Sequence, residues 1–340
     1  MKMSEIARMA NVSISTVSLA LNDKPGVNEA TKQRIMQIVD KYKYEPLRKR
    51  RTHQKGQLTN INFVAIKSSG IIGNNYANLP FFKELITFLS GYVSDLGILL
   101  TTNTYENVNI EKIDFSQFLS QNSGMIVLGT DLNESEAKFI HQQVNNLVII
   151  DTSFPKLSID TVTMDNFQGG YLAAKFLYEH GYRRIGYVAS NKRVYNFSKR
   201  YIGFAKALAH YGHSLSSSSI YHVSPIAQDP SEEDRKILNV HRLPEVIFCE
   251  DDYIAIRMIK TANELGIKIP DQLAIMGFDG IYEGSLVSPE LTTVHVPISQ
   301  IAKQAVFQLQ QRLIDSEKPS MKTLIATRLI ERSSTGNISR

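Results

Sequence analysis

The chain has 340 residues, 43% hydrophobic and 21% charged, the profile of globular material in two or three units rather than of a disordered or fibrous protein. No run approaches the ~20 apolar residues of a membrane-spanning helix. The opening Met1-Lys2-Met3-Ser4-Glu5 shows no apolar signal core, so a cytoplasmic protein with no membrane partner is expected. The single cysteine, Cys249, excludes an internal disulfide framework and a thiolate zinc site, and no metal or other cofactor is expected.

The net charge of +5 is unevenly spread: residues 1–60 hold 12 Lys/Arg against 5 Asp/Glu, while the remaining 280 hold 26 against 28. A basic head on a near-neutral body fits a polyanion contact, since Lys and Arg bind phosphates by displacing condensed counterions. A solvated basic tail would leave the same trace, so charge alone does not decide.

Three short helices are expected first. Ile6, Ala7 and Ala10 form one apolar stripe, Val17, Ala20 and Leu21 a second, and Ile35, Ile38, Val39 and Tyr42 a third. Ser13 and Asn28 can cap the second and third helices. Asn11 tolerates the left-handed backbone of a sharp turn, and Val12 can fill the corner behind it, which is a helix-turn-helix arrangement. Residues 46–60, with Pro46 and Arg48-Lys49-Arg50-Arg51, read as a linker.

Beyond it strands and helices alternate. Strands are expected at 61–66, 98–102, 125–128, 148–150, 185–188, 246–249 and 273–276, and helices at 81–96, 167–179, 199–211 and 253–265. Strands separated by helical stretches imply α/β architecture, two doubly wound parallel sheets with a ligand site at their carboxyl ends.

The stretch Val12-Ser13-Ile14-Ser15-Thr16-Val17-Ser18-Leu19-Ala20-Leu21-Asn22 closely resembles the helix-turn-helix signature of the LacI/GalR family of bacterial transcriptional regulators. Downstream, Pro80-Phe81-Phe82, Arg200-Tyr201-Ile202-Gly203-Phe204, Asp251-Asp252, Met276-Gly277-Phe278-Asp279 and Leu291-Thr292-Thr293-Val294 are similar to the family's landmarks, in order. The resemblance implies a homodimer with a DNA-binding head at 1–45, a hinge at 46–60 and a periplasmic-binding-protein-like core at 61–336. One lobe of the core would comprise about 61–160 and 293–322, the other about 161–292 and 323–336. It implies a repressor of a near-palindromic double-stranded operator, its affinity set by a small effector held between the lobes.

By that resemblance the second helix enters the major groove, with Ile14 and Ser15 facing bases and Ser13, Thr16, Ser18 and Asn22 near phosphates. Capping and solvation are the plainer roles for these polar residues. Leu19 stands where many relatives carry Arg, which removes a bidentate guanine contact, and Lys2 replaces a usual threonine cap. In the hinge His53 occupies the place of an apolar minor-groove wedge, so Arg48, Arg50 and Arg51 should carry phosphate contacts there.

For the effector, the resemblance assigns Arg200 as a clamp and Asp279, Asp251, Asp151, Phe81 and Phe82 as partners, with Asp251 standing where Asn is common. Carboxylates accept pairs of hydroxyls and Arg donates in a planar fork, so a sugar or sugar derivative is the expected ligand. Ion pairing between Arg200 and these carboxylates without any ligand is the alternative. The segment from Ser68 to Asn78 could form a cleft rim.

An enzyme is not expected: the sequence carries no Walker A loop, no HExxH and no G-x-S-x-G elbow. A periplasmic solute receptor would share the core but not the basic head.

Overall fold

The computed structural model describes residues 3–21, 24–42, 44, 57–67, 70–73, 76–106, 109–118, 120 and 122–336. Its contacts divide the chain into two units, Met1–Gln54 and Lys55–Arg340.

The first unit holds α1 (Met3–Met9), α2 (Ile14–Leu21) and α3 (Glu29–Lys41). Their apolar stripes meet in a small core of Ile6, Ala7, Ala10, Val17, Ala20 and Ile35, with Val12 packed against it. Asn11 takes a left-handed φ of 49° between α1 and α2, and the Val12 amide donates to the Ala7 carbonyl at 3.0 Å, so the turn is tight. Ser13 Oγ accepts from the Thr16 amide at 3.0 Å and Asn28 Oδ1 from the Thr31 amide at 2.8 Å, capping α2 and α3. Each cap satisfies an amide with no partner inside its helix.

The second unit begins with β1 (Asn60–Lys67), α4 (Pro80–Asp95), β2 (Leu99–Glu106), β3 (Ser123–Leu128), α5 (Glu134–Gln143), β4 (Leu147–Ile150) and β5 (Thr161–Met164). It continues through α6 (Asn166–Glu179), β6 (Ile185–Ser190), α7 (Tyr195–His210), β7 (Ile220–Val223), α8 (Glu232–Leu238), β8 (Val246–Cys249), α9 (Asp252–Glu264) and β9 (Ala274–Asp279). It closes with β10 (Thr292–His295), α10 (Ile298–Ile314), β11 (Lys322–Ile325) and β12 (Arg328–Ile330).

The strands form two six-stranded sheets, ordered β11-β5-β4-β3-β1-β2 and β12-β10-β9-β8-β6-β7. Every pairing is parallel except β10 with β12. The central strands are buried on both faces, as parallel sheets covered by helices require. Along β3, Ile126 and Leu128 join one apolar layer while Met125 and Val127 join the layer under α5. Cys249 is a buried core residue at the end of β8.

The chain crosses between sheets later than the sequence reading placed it. Thr161–Met164 and Lys322–Ile325 lie in the first sheet and Thr292–His295 in the second. These strands have three or four residues' worth of pattern, so only their pairing partners reveal which lobe they join. Strand β2 also runs on to Glu106 as an edge beside β1.

Helices α6 and α7 lie unusually close. A Cβ at Gly170 would collide with the Arg200 carbonyl oxygen, and one at Gly203 with that of Phe167. Two reciprocal glycines therefore fix the register of α7 on α6, and with it the position of Arg200.

Candidate functional site

In the first unit α2 carries no charged side chain in its terminal turns. Ile14, at its start, is 53% exposed, which is uncommon for so large an apolar side chain beside a formed core. Ser15 is exposed next to it, and Thr16, Ser18 and Leu19 are half-buried. Ser13 Oγ lies 2.6 Å from Ser15 Oγ and 2.8 Å from Thr16 Oγ1, besides capping the helix. Capping thus occupies Ser13 in the free protein, and three hydroxyls at the helix start share their protons. Asn22, Arg48, Arg50, Arg51 and His53 lie outside the described residues, as does Lys2.

In the second unit a cavity opens between the carboxyl ends of the two sheets. Phe81, Phe82, Asp151, Arg200, Asp251 and Asp279 all line it. The topology explains the convergence. Asp151 follows β4, Asp251 follows β8 and Asp279 ends β9, while Arg200 sits on α7 and the two phenylalanines open α4. Pro80 occupies the first turn of α4, where its missing amide costs nothing. Phe81 and Phe82 meet edge to face at 5.3 Å between ring centres.

Arg200 is 3% exposed and is engaged on several sides. Its Nη2 donates to Asp279 Oδ1 at 2.9 Å, its Nε to Asn166 Oδ1 at 2.9 Å, and its Nη1 to the Glu250 carbonyl. Its guanidinium lies 3.8 Å from the Phe278 ring centre. All these partners belong to the second-sheet lobe, so the arginine's ion pair lies within that lobe and does not bridge the two.

The bridge comes from elsewhere. Asn196 on α7 donates from Nδ2 to both the carbonyl and the Oδ1 of Asp151, each at 2.9 Å. Across the opposite side the Phe81 amide donates to Tyr253 Oη at 2.9 Å. Neither Asn196 nor Tyr253 was expected from the sequence, nor was Thr130, whose hydroxyl donates to Asp151 Oδ2. Asn196 lies one helical turn before Arg200, a spacing that would have disclosed it. The expected start of that helix at 199 fell four residues late and hid it.

Burial raises every carboxyl group here. Asp151 rises to about 7, opposed by its bonds to Thr130 and Asn196 and by the Arg200 charge. Asp279 rises to about 6 by burial, opposed by Arg200. Asp251 is pushed well up by burial and then by the Asp279 charge. Asp252 rises to about 8 for the same two reasons, but it does not line the cavity. Its carboxylate accepts from Thr293 Oγ1 at 2.7 Å and from the Gly280 and Ile281 amides at 2.7 and 2.9 Å, bracing the loop after β9.

The rim includes part of the Gly- and Asn-rich segment. Asp131 accepts from the Ile71 and Ile72 amides at 2.9 and 2.7 Å, and Ile71 lines the cavity. Leu79, Val194, Phe197, Pro225 and Ile226 complete the apolar part of the lining. Among the described residues no cluster of His, Cys, Asp or Glu could hold a metal ion, and no helix is long and apolar enough to cross a membrane.

Comparisons with known proteins agree with this architecture. Residues 2–46 match the profile of bacterial regulatory proteins of the lacI family, and residues 174–335 that of the periplasmic binding protein-like domain. The HTH-type transcriptional repressor PurR of Photobacterium profundum is 27% identical over 314 residues, covering 92% of this chain and 91% of that protein. Among solved structures, the lac repressor dimer bound to operator and the anti-inducer ONPF superposes with a TM-score of 0.74 at 17% identity, covering 99% of both chains. The complex of the transcriptional regulator CelR with cellobiose gives 0.68 at 18% identity, covering 98% of this chain and 99% of that one. The relatives are regulators of transcription, not enzymes. With its helix-turn-helix head and two-lobed core, the chain belongs to the LacI/GalR family of bacterial transcriptional regulators and is a DNA-binding regulator.

Proposed function

We propose that the chain is a cytoplasmic repressor that binds a near-palindromic operator as a homodimer and responds to a sugar or sugar derivative held between its lobes. The observation that carries the effector reading is the cavity itself, where aromatic and apolar side chains share the lining with carboxyl groups at three strand ends. Its mixed lining of aromatic, apolar and carboxyl side chains suits a small polar molecule with an apolar face. The solved relative of this fold that holds cellobiose supports a carbohydrate.

In this reading residues 1–45 read DNA, 46–60 form the hinge and the lobes of 61–336 hold the ligand. Ile14 and Ser15 face base edges, and Ser13, Thr16, Ser18, Leu19 and Asn22 set the register of α2 in the groove. Arg48, Arg50, Arg51 and His53 of the hinge contact the backbone, so operator affinity falls steeply with salt. Exposed apolar side chains favour self-association: Phe307 and Ile314 on α10 are 49% and 64% exposed, and Leu286 is 65% exposed. The effector works by changing lobe closure through the Asn196–Asp151 and Phe81–Tyr253 bridges, and its coupling to operator affinity is reciprocal.

The test pairs a thermal-shift screen of sugars and sugar phosphates on the full chain with selection of bound duplexes from a random pool. A near-palindromic selected site and a stabilising sugar are expected, with Phe82→Ala abolishing the shift and Ile14→Ala spoiling the site. An asymmetric site, or operator binding that survives removal of residues 1–60, overturns the DNA reading. A planar nucleobase is the second reading, favoured by the paired rings of Phe81 and Phe82. A purine base that stabilises the chain where no sugar does decides for it.

A further inference from the structure

The cavity is lined by more acids than bases. Asp151, Asp251 and Asp279 line it, and among the described lining residues Arg200 is the only cation. Burial keeps these acids partly protonated when no ligand is bound. With all three ionised the walls would carry two negative charges in excess, which a bound cation would offset. Arg200 already commits three of its five N–H donors to Asp279, Asn166 and the Glu250 carbonyl.

The three acids differ in what remains open. Asp151 is engaged at both oxygens, by Thr130 and by Asn196. Asp251 uses Oδ1 to cap α9, accepting from the Ile254 amide at 2.7 Å, and Asp279 uses Oδ1 on Arg200. Among the described residues the Oδ2 atoms of Asp251 and Asp279 have no hydrogen-bond partner, although the residues are only 3% and 6% exposed and both line the cavity. Two acceptor oxygens open to the cavity leave room for donors from a ligand.

From this geometry we infer that the effector carries a protonated amine on a hydroxylated skeleton, an amino sugar in kind, with its nitrogen seated against Asp251 and Asp279. The inference rests on the cavity being the effector site. A hydroxyl would supply a donor but no charge, and a phosphate would worsen the excess. An ammonium group supplies three donors and one positive charge. The rings of Phe81, Phe82 and Phe197 line the same cavity and can receive an apolar sugar face. Asp251 makes the difference, since Asn at this position would retain the α9 cap while removing one negative charge.

Isothermal titration of the full chain near neutral pH tests this with matched ligands. The probes are glucosamine, galactosamine and mannosamine, each against its parent hexose and its N-acetyl derivative. At least one amine should bind about tenfold or more tighter than both partners, a difference of about 1.4 kcal/mol. In Asp251→Asn, shown to be folded by its unliganded melting temperature, that preference should collapse to within about twofold. A neutral partner binding as tightly as its amine, a preference that survives Asp251→Asn, or no binding by any amine overturns the inference. If a hexose or a nucleobase binds and Phe82→Ala abolishes it, only the amine falls. If binding persists in Phe82→Ala and Arg200→Ala, the cavity reading falls with it.

Discussion

Helix α2 and the interlobe cavity do their work with opposite physical means. On α2 the groups assigned to DNA are hydroxyls and an apolar side chain already in water, the most exposed being Ile14 at 53%. In the cavity the assigned groups are charged and almost wholly buried, and each holds a piece of the fold. Arg200 ties α7 to β9 through Asp279, Asp251 caps α9, and Asp151 receives the bridge from α7. Function and stability should therefore separate on the head, apart from the Ser13 cap, and be inseparable for the charged groups of the cavity.

The sharpest break of that contrast is Arg200→Ala. It strands Asp279 beside Asp251 in a buried site, and loss of one partner of a buried pair costs about 3–5 kcal/mol. Urea unfolding of the full chain should show that loss, and an unchanged midpoint would contradict the contrast.

A pH series comes next. Asp279, Asp151 and Asp252 titrate at about 6, 7 and 8 in the folded chain, above the ordinary carboxyl value near 4. Between these limits the folded state binds more protons than the unfolded one. The stability these groups supply is complete below the ordinary value and is lost as pH rises through 6 to 8. The unfolding midpoint should fall over that window, and a bound amine should flatten the fall. A midpoint that climbs instead would show that these acids do not govern the core.

Asn196→Ala removes both bridging bonds to Asp151 and should cost about 1–3 kcal/mol. Its signature is faster amide exchange near residue 151 while α2 exchanges as before. On the head, Ser13→Ala should loosen α2 by about 1 kcal/mol through loss of its cap, read as faster exchange of the α2 amides only. Ile14→Ala is the smallest in stability, within ~0.5 kcal/mol. It should still weaken the selected operator by about 1–3 kcal/mol, and a comparable loss on random duplex would assign Ile14 to backbone contact.

The head was readable in the sequence because its determinants are local. Asn11, Ser13 and Asn28 each act within four residues of themselves, so the turn and both caps follow from spacing. Helices α4, α6, α7 and α9 and the central strands were legible for the same reason, whereas α10, the longest helix, was not read from the sequence. The cavity was legible only through landmarks such as Arg200 and Asp279, whose partners lie 79 residues apart. Thr130, Asn196 and Tyr253 carry no local mark: each matters because a distant strand end or helix start arrives beside it. The short strands β5, β10 and β11 failed for a related reason, since four residues of apolar sequence do not say which sheet they will complete.

That discontinuity bears on how the protein is made. The first sheet's early strands end at Met164, yet α10, which supplies Ile301, Ala302, Ala305 and Leu309 to its core, begins only at Ile298. During synthesis at about 5–20 residues per second the nascent first lobe waits several seconds with one apolar face bare. The head, by contrast, needs nothing beyond α3 and can fold as soon as it leaves the ribosome. The interval between them is when the chain most needs a chaperone, and destabilising changes in β1–β5 should show first as lost yield in the cell.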